Sequence, residues 1–299
     1  MTAPKLAKLI DAPATPAPIK VGTQYIDCVR HRYIMGVINV TPDSFSDGGL
    51  YTETERALAH ALAMIDDGAQ IIDVGGESTR PGAADVTEDE ERRRVLPLIE
   101  RLHAARPDCI ISIDTTKASV ARAACEAGAT MINDISGLTF DPLMAHTAAE
   151  TGAALVVMHI QGKPRTMQHN PTYNDVVEDI RLSLQESIQR ALLAGVDLTQ
   201  IIIDPGIGFG KTVAHNYTLI QQLHRFAEMG HAVLLGPSRK SFLGAQLGRH
   251  TRPDERVWAT AAAVAIGIYA GAHIVRVHDV AQMRDVVRIA EACSGVLIE

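Results

Sequence analysis

Short runs of aliphatic and β-branched residues recur along the chain, and none of them alternates regularly between apolar and polar positions. Such runs are typical of strands that are buried on both faces of a parallel sheet. The pattern predicts eight strands, at residues 34–39, 71–75, 110–114, 131–135, 155–159, 201–204, 232–236 and 274–278. Helical segments separate these strands, which predicts a repeated strand–helix unit.

Glycine residues mark the ends of the predicted helices. A glycine stands a few residues before six of the strands, as expected for the left-handed conformation beyond a helix C-terminus. These glycines are Gly68, Gly128, Gly152, Gly195, Gly230 and Gly271. Two capping-box patterns, Thr52 to Glu55 and Thr87 to Glu90, predict where two of the helices begin.

The alternation of strands and helices predicts the α/β fold class. Eight strands with eight helices favour a closed (β/α)8 TIM barrel, and a doubly wound open sheet is the alternative. We expect residues 21–299 to form this single domain and the Pro/Ala-rich residues 1–20 to form a short, flexible N-terminal extension. The segment from Ile19 to Tyr33 is expected to fold as a short hairpin that plugs the bottom of the barrel.

The amino-acid composition limits the cellular environments and the kinds of partner that we expect for this protein. The 299 residues are 46% hydrophobic but only 4% aromatic, which favours aliphatic strands over an aromatic-rich sandwich. A net charge of −7 argues against a nucleic-acid or anionic-membrane partner. The chain lacks an apolar run that could span a bilayer and an apolar signal-peptide core, so we expect a cytoplasmic protein. Its four cysteines have no C-x-x-C spacing and are expected to be reduced and buried.

Polar residues occur where the predicted strands end. They are Asn39, Asp73, Asp114, Asn133, Asp134, His159, Asp204, Ser238, Arg276 and His278. In a parallel barrel all these strand ends share one rim. One Asp or Asn at a strand end is usually a cap or a turn residue. Burying so many polar groups at one rim is unfavourable unless a polar ligand satisfies them, so the set predicts a binding site.

The predicted site combines two kinds of chemistry. Asp114, Asn133 and Asp204 would present acceptors and an amide to a flat heterocycle rich in N–H donors. A phosphate-bearing group could be held by Asn39, Thr79, Arg276 and His278. Arg239 and Lys240 add two cations before a short helix that starts near Phe242, where a carboxylate could bind. The alternative for Lys240 is a solvated surface lysine.

Two apparent motifs do not lead to a site. The segment from Gly206 to Thr212 resembles a phosphate loop, but Pro205 stands where a glycine is required and the segment follows the sixth strand. We therefore interpret Phe209 on this segment as an apolar wall for an aromatic substrate. The scattered histidines have no short metal-ligand spacing, so we do not expect a structural zinc.

Three segments resemble the signatures of the dihydropteroate synthase family: residues 34–49, residues 73–82 and residues 236–241. They occur in the family's order, and the resemblance extends from about Tyr33 to the C-terminal region. It implies a TIM barrel that joins 6-hydroxymethyl-7,8-dihydropterin diphosphate to p-aminobenzoate and releases diphosphate in folate biosynthesis. Pro237 departs from the family pattern, which usually has another residue there. We expect this proline to stiffen the loop without abolishing activity.

The resemblance also assigns roles by position. The catalytic residues are Asp114, Asp204, Lys240 and Arg276. The pterin is held by Asp114, Asn133, Asp204 and Lys240, with Met158 lining its pocket. The diphosphate is contacted by Thr79, Arg276 and His278, and Asn39 binds the accompanying Mg²⁺. The p-aminobenzoate is surrounded by Phe45, Pro81, Phe209, Lys240 and Ser241, and Arg80 completes the substrate-binding set.

Mechanism and assembly follow from the same resemblance. Because the aniline nitrogen is neutral near pH 7, an SN1-like substitution needs no strong base, and the sequence shows no nucleophile–base pair. The loops 41–49 and 79–84 are expected to close over the cationic intermediate and exclude water. A homodimer is also implied, and the Ala-rich helix 257–270 is either barrel packing or part of its interface. Sulfonamides compete with p-aminobenzoate in this family.

Two other functions are alternatives. A methyltetrahydrofolate:corrinoid methyltransferase shares the pterin-binding barrel, but it has no use for the anion site at Arg276 and His278. A catalytically silent, pterin-binding paralogue would keep the barrel and lose turnover. Release of diphosphate from the two substrates, with and without Mg²⁺, separates all three functions.

Overall fold

Eight parallel strands form a closed barrel, which confirms the predicted TIM-barrel class and excludes the open sheet. Each barrel strand pairs with the strand that follows it in the chain, and the last pairs with the first. After the hairpin strands β1 (Ile19–Val21) and β2 (Gln24–Ile26), the barrel strands are β3 (Tyr33–Asn39), β4 (Ile71–Gly75), β5 (Ile110–Asp114), β6 (Met131–Asp134), β7 (Ala154–Met158), β8 (Ile201–Asp204), β9 (Ala232–Leu235) and β10 (Ile274–Val277). All eight predicted barrel strands are present, with ends that differ by at most one residue.

The computed structural model describes residues 16–40, 49–78, 82 and 85–295, and for residues 49–52 it describes the backbone alone. The predictions for Phe45, Thr79, Arg80 and Pro81 therefore lie outside the described residues, as do those for most of loops 41–49 and 79–84. At the N-terminus, β1 begins at Ile19 and so takes in the last two residues of the predicted extension.

Helices surround the barrel in the described part of the chain. They are α1 (Gly49–Asp66), α2 (Glu88–Ala105), α3 (Ala118–Glu126), α4 (Met144–Thr151), α5 (Val176–Leu193), α6 (Val213–Gln221), α7 (His224–Ala227), α8 (Ser241–Gln246), α9 (Val257–Tyr269) and α10 (Val280–Ser294). All six glycines predicted beyond helix ends have positive φ angles, between 66° and 118°. The glycine pattern therefore located the strand–helix units correctly.

The two predicted capping boxes have different outcomes. Helix α2 begins as predicted, because Thr87 Oγ1 accepts a hydrogen bond from the backbone N–H of Glu90 at 3.3 Å. Helix α1 begins at Gly49, so the predicted start at Thr52 is wrong. A capping-box pattern marks one possible helix start and does not prevent the helix from beginning earlier in the chain.

Successive side chains of each barrel strand point to opposite faces of the sheet, which divides the barrel residues into two sets. One set points outward and packs with the helices in a large apolar core. The other set points inward, and at the amino-terminal ends of the strands it is apolar as well: Met35, Ile71, Ile110, Met131, Ala154, Val156, Ile202, Ala232, Leu234 and Ile274. Packing of these side chains fills the lower half of the barrel, so the interior is a core and not a channel.

The N-terminal hairpin closes the amino-terminal end of the barrel, as predicted. Ile19, Val21 and Ile26 from its strands, with Cys28, pack against the inward-facing apolar set. Each of these four side chains is almost completely buried. Because the hairpin covers the bottom, polar residues inside the barrel can reach solvent or a ligand only at the opposite end.

All four cysteines are free, as expected, but they are not all buried. Cys28 is buried, Cys109 and Cys125 are partly buried, and Cys293 is exposed. The buried stripe of α10 passes through Met283, Val287 and Ala290, and Cys293 lies outside it. Within the described residues, no helix has both the length and the apolar character needed to cross a membrane.

Candidate functional site

Most inward-facing residues at the carboxyl ends of the strands are polar, in contrast to the apolar residues below them. Strand register places Asn39 opposite Gly75, Gly75 opposite Asp114, and Asp114 opposite Asn133. Further round the barrel, Met158 lies opposite Asp204. The strands therefore bring these predicted residues to one level of the barrel rim, although their positions in the chain are far apart.

Arg276 lies at the centre of this polar layer. Its Nε donates a hydrogen bond to Asp73 Oδ2 at 2.6 Å, and its Nη2 donates to Asp114 Oδ2 at 2.5 Å. Asp73 Oδ2 also accepts from Asn133 Nδ2 at 3.1 Å. Asp73 is fully buried and stands in the middle of β4, below the rim where the sequence pattern had placed it. Its position indicates that it orients Arg276 from below.

Burial shifts the pKa values of the site's two carboxyl groups and its lysine towards neutrality, whereas Arg276 behaves differently. Burial raises the pKa of Asp114 to about 7, although the Arg276 guanidinium opposes this effect. Burial lowers the pKa of Lys240 to about 8, and the Asp204 carboxylate opposes that shift. Burial also raises the pKa of Asp204. Burial alone would lower the pKa of Arg276, but the Asp73 and Asp114 carboxylates outweigh this effect and raise the pKa, so Arg276 stays charged.

Lys240 points into the site and not into solvent. Its Nζ donates a hydrogen bond to the carbonyl oxygen of Ile207 and lies 4.6 Å from the centre of the Phe209 ring. Phe209 in turn packs with Ile135, Met158 and Met167 in a small apolar cluster at the rim. The arrangement places a cation beside an apolar wall, which suits an aromatic ring that carries a negative group.

The segment after β9 contributes one free cation to the site instead of the two that were predicted. Arg239 forms a two-bond ion pair with Asp279, with distances of 3.0 Å and 2.5 Å, so it anchors the segment after β10. Sequence pattern alone could not reveal this pairing partner. Ser238 Oγ accepts from the backbone N–H of His278 at 3.2 Å and lies 3.0 Å from His278 Nδ1, which orients the imidazole. Ser241, at the start of α8, is exposed.

Two of the polar residues at strand ends anchor loops and do not belong to the polar layer inside the barrel. The Asp134 carboxylate accepts hydrogen bonds from the backbone of Ser136 and Leu138, at 2.9 Å and 2.7 Å, and so it anchors a turn. His159 lies beside a buried lysine, Lys211, with 3.0 Å between His159 Nδ1 and Lys211 Nζ. Burial lowers the pKa of His159 to about 3, so this imidazole is neutral.

Asn39 is the residue predicted to bind magnesium. No group of three His, Cys, Asp or Glu side chains that could hold a metal occurs among the described residues. A Cβ atom added to Gly75 would lie 3.5 Å from Asn39 Oδ1 and 3.8 Å from Asp114 Oδ2, so both oxygens flank the bare backbone of Gly75. Mg²⁺ bound with a phosphate substrate needs few protein oxygens, because phosphate and water supply the others. The amide of Asn39 fits that requirement.

Sequence reasoning missed a group of ionisable residues next to the rim. Lys117 donates hydrogen bonds to Glu77 and to the fully buried Glu91, the latter at 2.5 Å. This group borders a cavity of about 720 Å³, to which Asp114 also contributes. Lys117 stands three residues beyond the end of β5, and this position after a strand end is the one sequence signal that could have indicated the group.

The rim of this α/β barrel offers hydrogen-bond acceptors for a polar ring and, beside them, positively charged side chains for an anion. This combination defines a class of ligand-binding barrel enzymes. The family model for pterin binding enzymes matches residues 35–278. The dihydropteroate synthase of Synechocystis sp. is 47% identical over 277 residues, which cover 93% of this chain and 95% of that protein. The Bacillus subtilis dihydropteroate synthase is 50% identical over 259 residues, which cover 87% of each protein.

Comparison with solved structures identifies the same family. The Yersinia pestis dihydropteroate synthase in complex with a sulfonamide drug superimposes with a TM-score of 0.86 at 43% identity, covering 93% of this chain and all of that one. The Xanthomonas albilineans enzyme in complex with 7,8-dihydropteroate has a TM-score of 0.83 at 39% identity, covering 94% and 100%. The chain therefore belongs to the pterin-binding enzymes and, among them, to the dihydropteroate synthase family.

Proposed function

We propose that the protein catalyses the condensation of 6-hydroxymethyl-7,8-dihydropterin diphosphate with p-aminobenzoate to give 7,8-dihydropteroate and diphosphate. The observation that carries this proposal is the presence of Asp114, Asn133, Asp204 and Lys240 at the same rim as Arg276, which bonds to Asp114 and adds to the electrostatic field at Asp204 and Lys240. Few ligands other than a donor-rich ring with an anionic tail would satisfy both the acceptors and the cations of this rim. The free thiols fit a reducing compartment, so the proposed location is the cytoplasm.

The pterin ring lies in the polar layer of the barrel. Asp114 and Asp204 accept hydrogen bonds from ring N–H groups, and Asn133 adds its amide. Met158 packs against the flat face of the ring. Lys240 donates to a ring acceptor. The pairing of Asp114 with Arg276 holds this carboxylate in place before the substrate binds, which reduces the reorganisation needed for reaction.

Diphosphate departs first, in an SN1-like step. The C–O bond to the leaving group breaks, both electrons leave with diphosphate, and positive charge spreads from the exocyclic methylene into the ring. Arg276 and His278, with Thr79, bind the leaving anion. The Asp114 and Asp204 carboxylates stabilise the cation. Mg²⁺ held at Asn39 would neutralise charge on the diphosphate when bound.

The lone pair of the aromatic amine then attacks the methylene carbon to form the C–N bond, and one N–H proton passes from this nitrogen to solvent. Phe209, Lys240 and Ser241 form the described part of its binding region, and Lys240 pairs with the carboxylate. Phe45, Arg80 and Pro81 are proposed to complete this region, and the loops that carry them are proposed to exclude water. Sulfonamides, which carry an aniline of similar shape, are proposed to compete at the same place.

An assay of diphosphate release tests the function directly. The purified protein is expected to release diphosphate only when the pterin diphosphate, p-aminobenzoate and Mg²⁺ are all present, with one dihydropteroate formed per diphosphate. Pterin binding without release would indicate a silent paralogue. Methyl transfer from methyltetrahydrofolate to a corrinoid protein would indicate the methyltransferase. Either result would contradict the proposal.

A homodimer is proposed on the basis of one exposed apolar surface. Helices α9 and α10 carry the exposed side chains Trp258 (77%), Ile266 (56%), Tyr269 (54%) and Ile289 (68%), here called the α9–α10 face. A surface of this kind favours a symmetric dimer in which two identical faces meet.

A charged substitution in the α9–α10 face should separate the dimer. We expect sedimentation equilibrium to give about twice the 32.2 kDa chain mass for the wild type and a single chain for Ile266→Glu. The matched control is Leu193→Glu on α5, which changes a residue of 81% exposure outside this face and should remain dimeric. A monomeric wild type would contradict the proposed interface.

A further inference from the structure

Lys211 is a buried lysine to which the proposed reaction assigns no role. It lies in the loop that joins β8 to α6, two residues before α6 begins, and only 3% of it is exposed. Its Nζ donates hydrogen bonds to the carbonyl oxygens of Phe209 (2.9 Å) and His159 (3.4 Å) and lies 3.0 Å from His159 Nδ1. Burying an amine is unfavourable unless its hydrogens are well paired, and here three acceptors surround it.

These contacts connect two neighbouring loops of the rim. His159 directly follows β7, whereas Phe209 belongs to the β8–α6 loop. The loops also approach each other closely at Gly206, where φ is +71° and an added Cβ atom would lie 1.9 Å from the carbonyl oxygen of His159. Lys211 thus joins the two loops where their backbones already touch.

The opposite side of the same loop faces the substrate region. The backbone N–H of Gly206 donates to Asp204 Oδ1 at 2.6 Å. The carbonyl oxygen of Ile207 accepts from Lys240, whose Nζ lies 4.6 Å from the Phe209 ring. The position of this loop therefore sets how the Phe209 ring lies relative to Lys240. Lys211 contacts the same loop through the carbonyl oxygen of Phe209.

Lys211 acts in this position as a hydrogen-bond donor. Burial lowers its pKa well below the usual value; the Asp204 carboxylate opposes this shift and the Lys240 cation adds to it. A neutral amine still has two N–H groups, enough for Phe209 and one acceptor on His159. A positioning function therefore needs only the hydrogen bonds and not the charge.

We propose that Lys211 is a positioning residue that binds the backbone of Phe209 to His159 and so holds the Phe209 ring against Lys240, where the aromatic amine binds. This inference rests on the proposed function. It predicts a selective defect: the second substrate should bind more weakly, whereas the pterin, which residues of β5 and β6 also hold, should bind almost normally.

The test compares Lys211→Met with Lys211→Gln, which keeps an N–H donor. We expect Lys211→Met to raise the KM for p-aminobenzoate at least about tenfold while the calorimetric Kd for the pterin diphosphate changes less than about threefold. Lys211→Gln should recover part of the affinity, and it carries the test if the methionine variant does not fold. Lys20→Met, an exposed lysine of β1, is the matched control and should behave as the wild type.

A double-mutant cycle with Phe209→Ala separates positioning from general damage. If Lys211 acts through Phe209, adding Lys211→Met to Phe209→Ala should raise the KM for p-aminobenzoate little further. Additive losses, or equal losses for both substrates, would overturn the inference. Unchanged kinetics in Lys211→Met with normal wild-type turnover would also overturn it. A wild type that releases no diphosphate would instead contradict the proposed function.

Discussion

Replacing Arg276 with methionine is expected to lower kcat for diphosphate release about 10³-fold, because the leaving anion loses a fixed, buried cation. The same substitution should lower the free energy of unfolding by about 3–5 kcal/mol, since it leaves carboxylates buried without their partner. Asp73 is affected most, because it is fully buried and Arg276 Nε is its closest partner, at 2.6 Å. Steady-state kinetics and urea denaturation measure the two effects separately.

A second substitution distinguishes catalysis from folding in this variant. Adding Asp73→Asn to Arg276→Met removes the unpaired buried charge, so much of the lost stability should return while kcat stays low. Arg276→Lys should also be slow, because one ammonium cannot reproduce the geometry with which the guanidinium bridges two carboxylates. If Arg276→Met kept kcat within about tenfold of the wild type, Arg276 would not be the main group that binds the leaving anion.

The barrel could be predicted from the sequence because its signals are local. A strand buried on both faces appears as an apolar run, and a helix end appears as a glycine such as Gly128, where an added Cβ atom would lie 2.5 Å from His103. Polar residues at the strand ends then indicated the rim. The alternation of inward and outward side chains along a strand was a further signal in the sequence. Asn133 shares the face of Met131 and points inward, whereas Asp134 points outward to its turn.

The pairings inside the site could not be predicted, because they join residues far apart in the chain. Arg276 is 203 residues from Asp73 and 162 from Asp114, and nothing in the local pattern of any of them identifies the others. The same limit applies to Arg239, which the sequence suggested as a second ligand-binding cation and which the structure pairs with Asp279. Charge pattern shows where cations are, but the fold determines which remain free.

The charge of Asp114 should make catalysis depend on pH close to neutrality. Burial raises its pKa to about 7, so the free enzyme holds a proton there at a pH where an exposed aspartate has lost it. The pterin ring donates N–H groups and needs the ionised carboxylate, so binding must release that proton. We therefore expect kcat/KM for the pterin diphosphate to fall about tenfold per pH unit below pH 7.

Lys240 sets the opposite limit, because burial lowers its pKa to about 8 and its charge is lost above that pH. The profile of kcat/KM should be bell-shaped, with its maximum between these two values. Asp114→Asn should reduce the maximum and flatten the acidic limb, and Lys240→Arg should move the alkaline limb to higher pH. Ionisation of the substrates is common to all variants. An acidic limb that persists unchanged in Asp114→Asn would show that another group controls binding of the pterin ring.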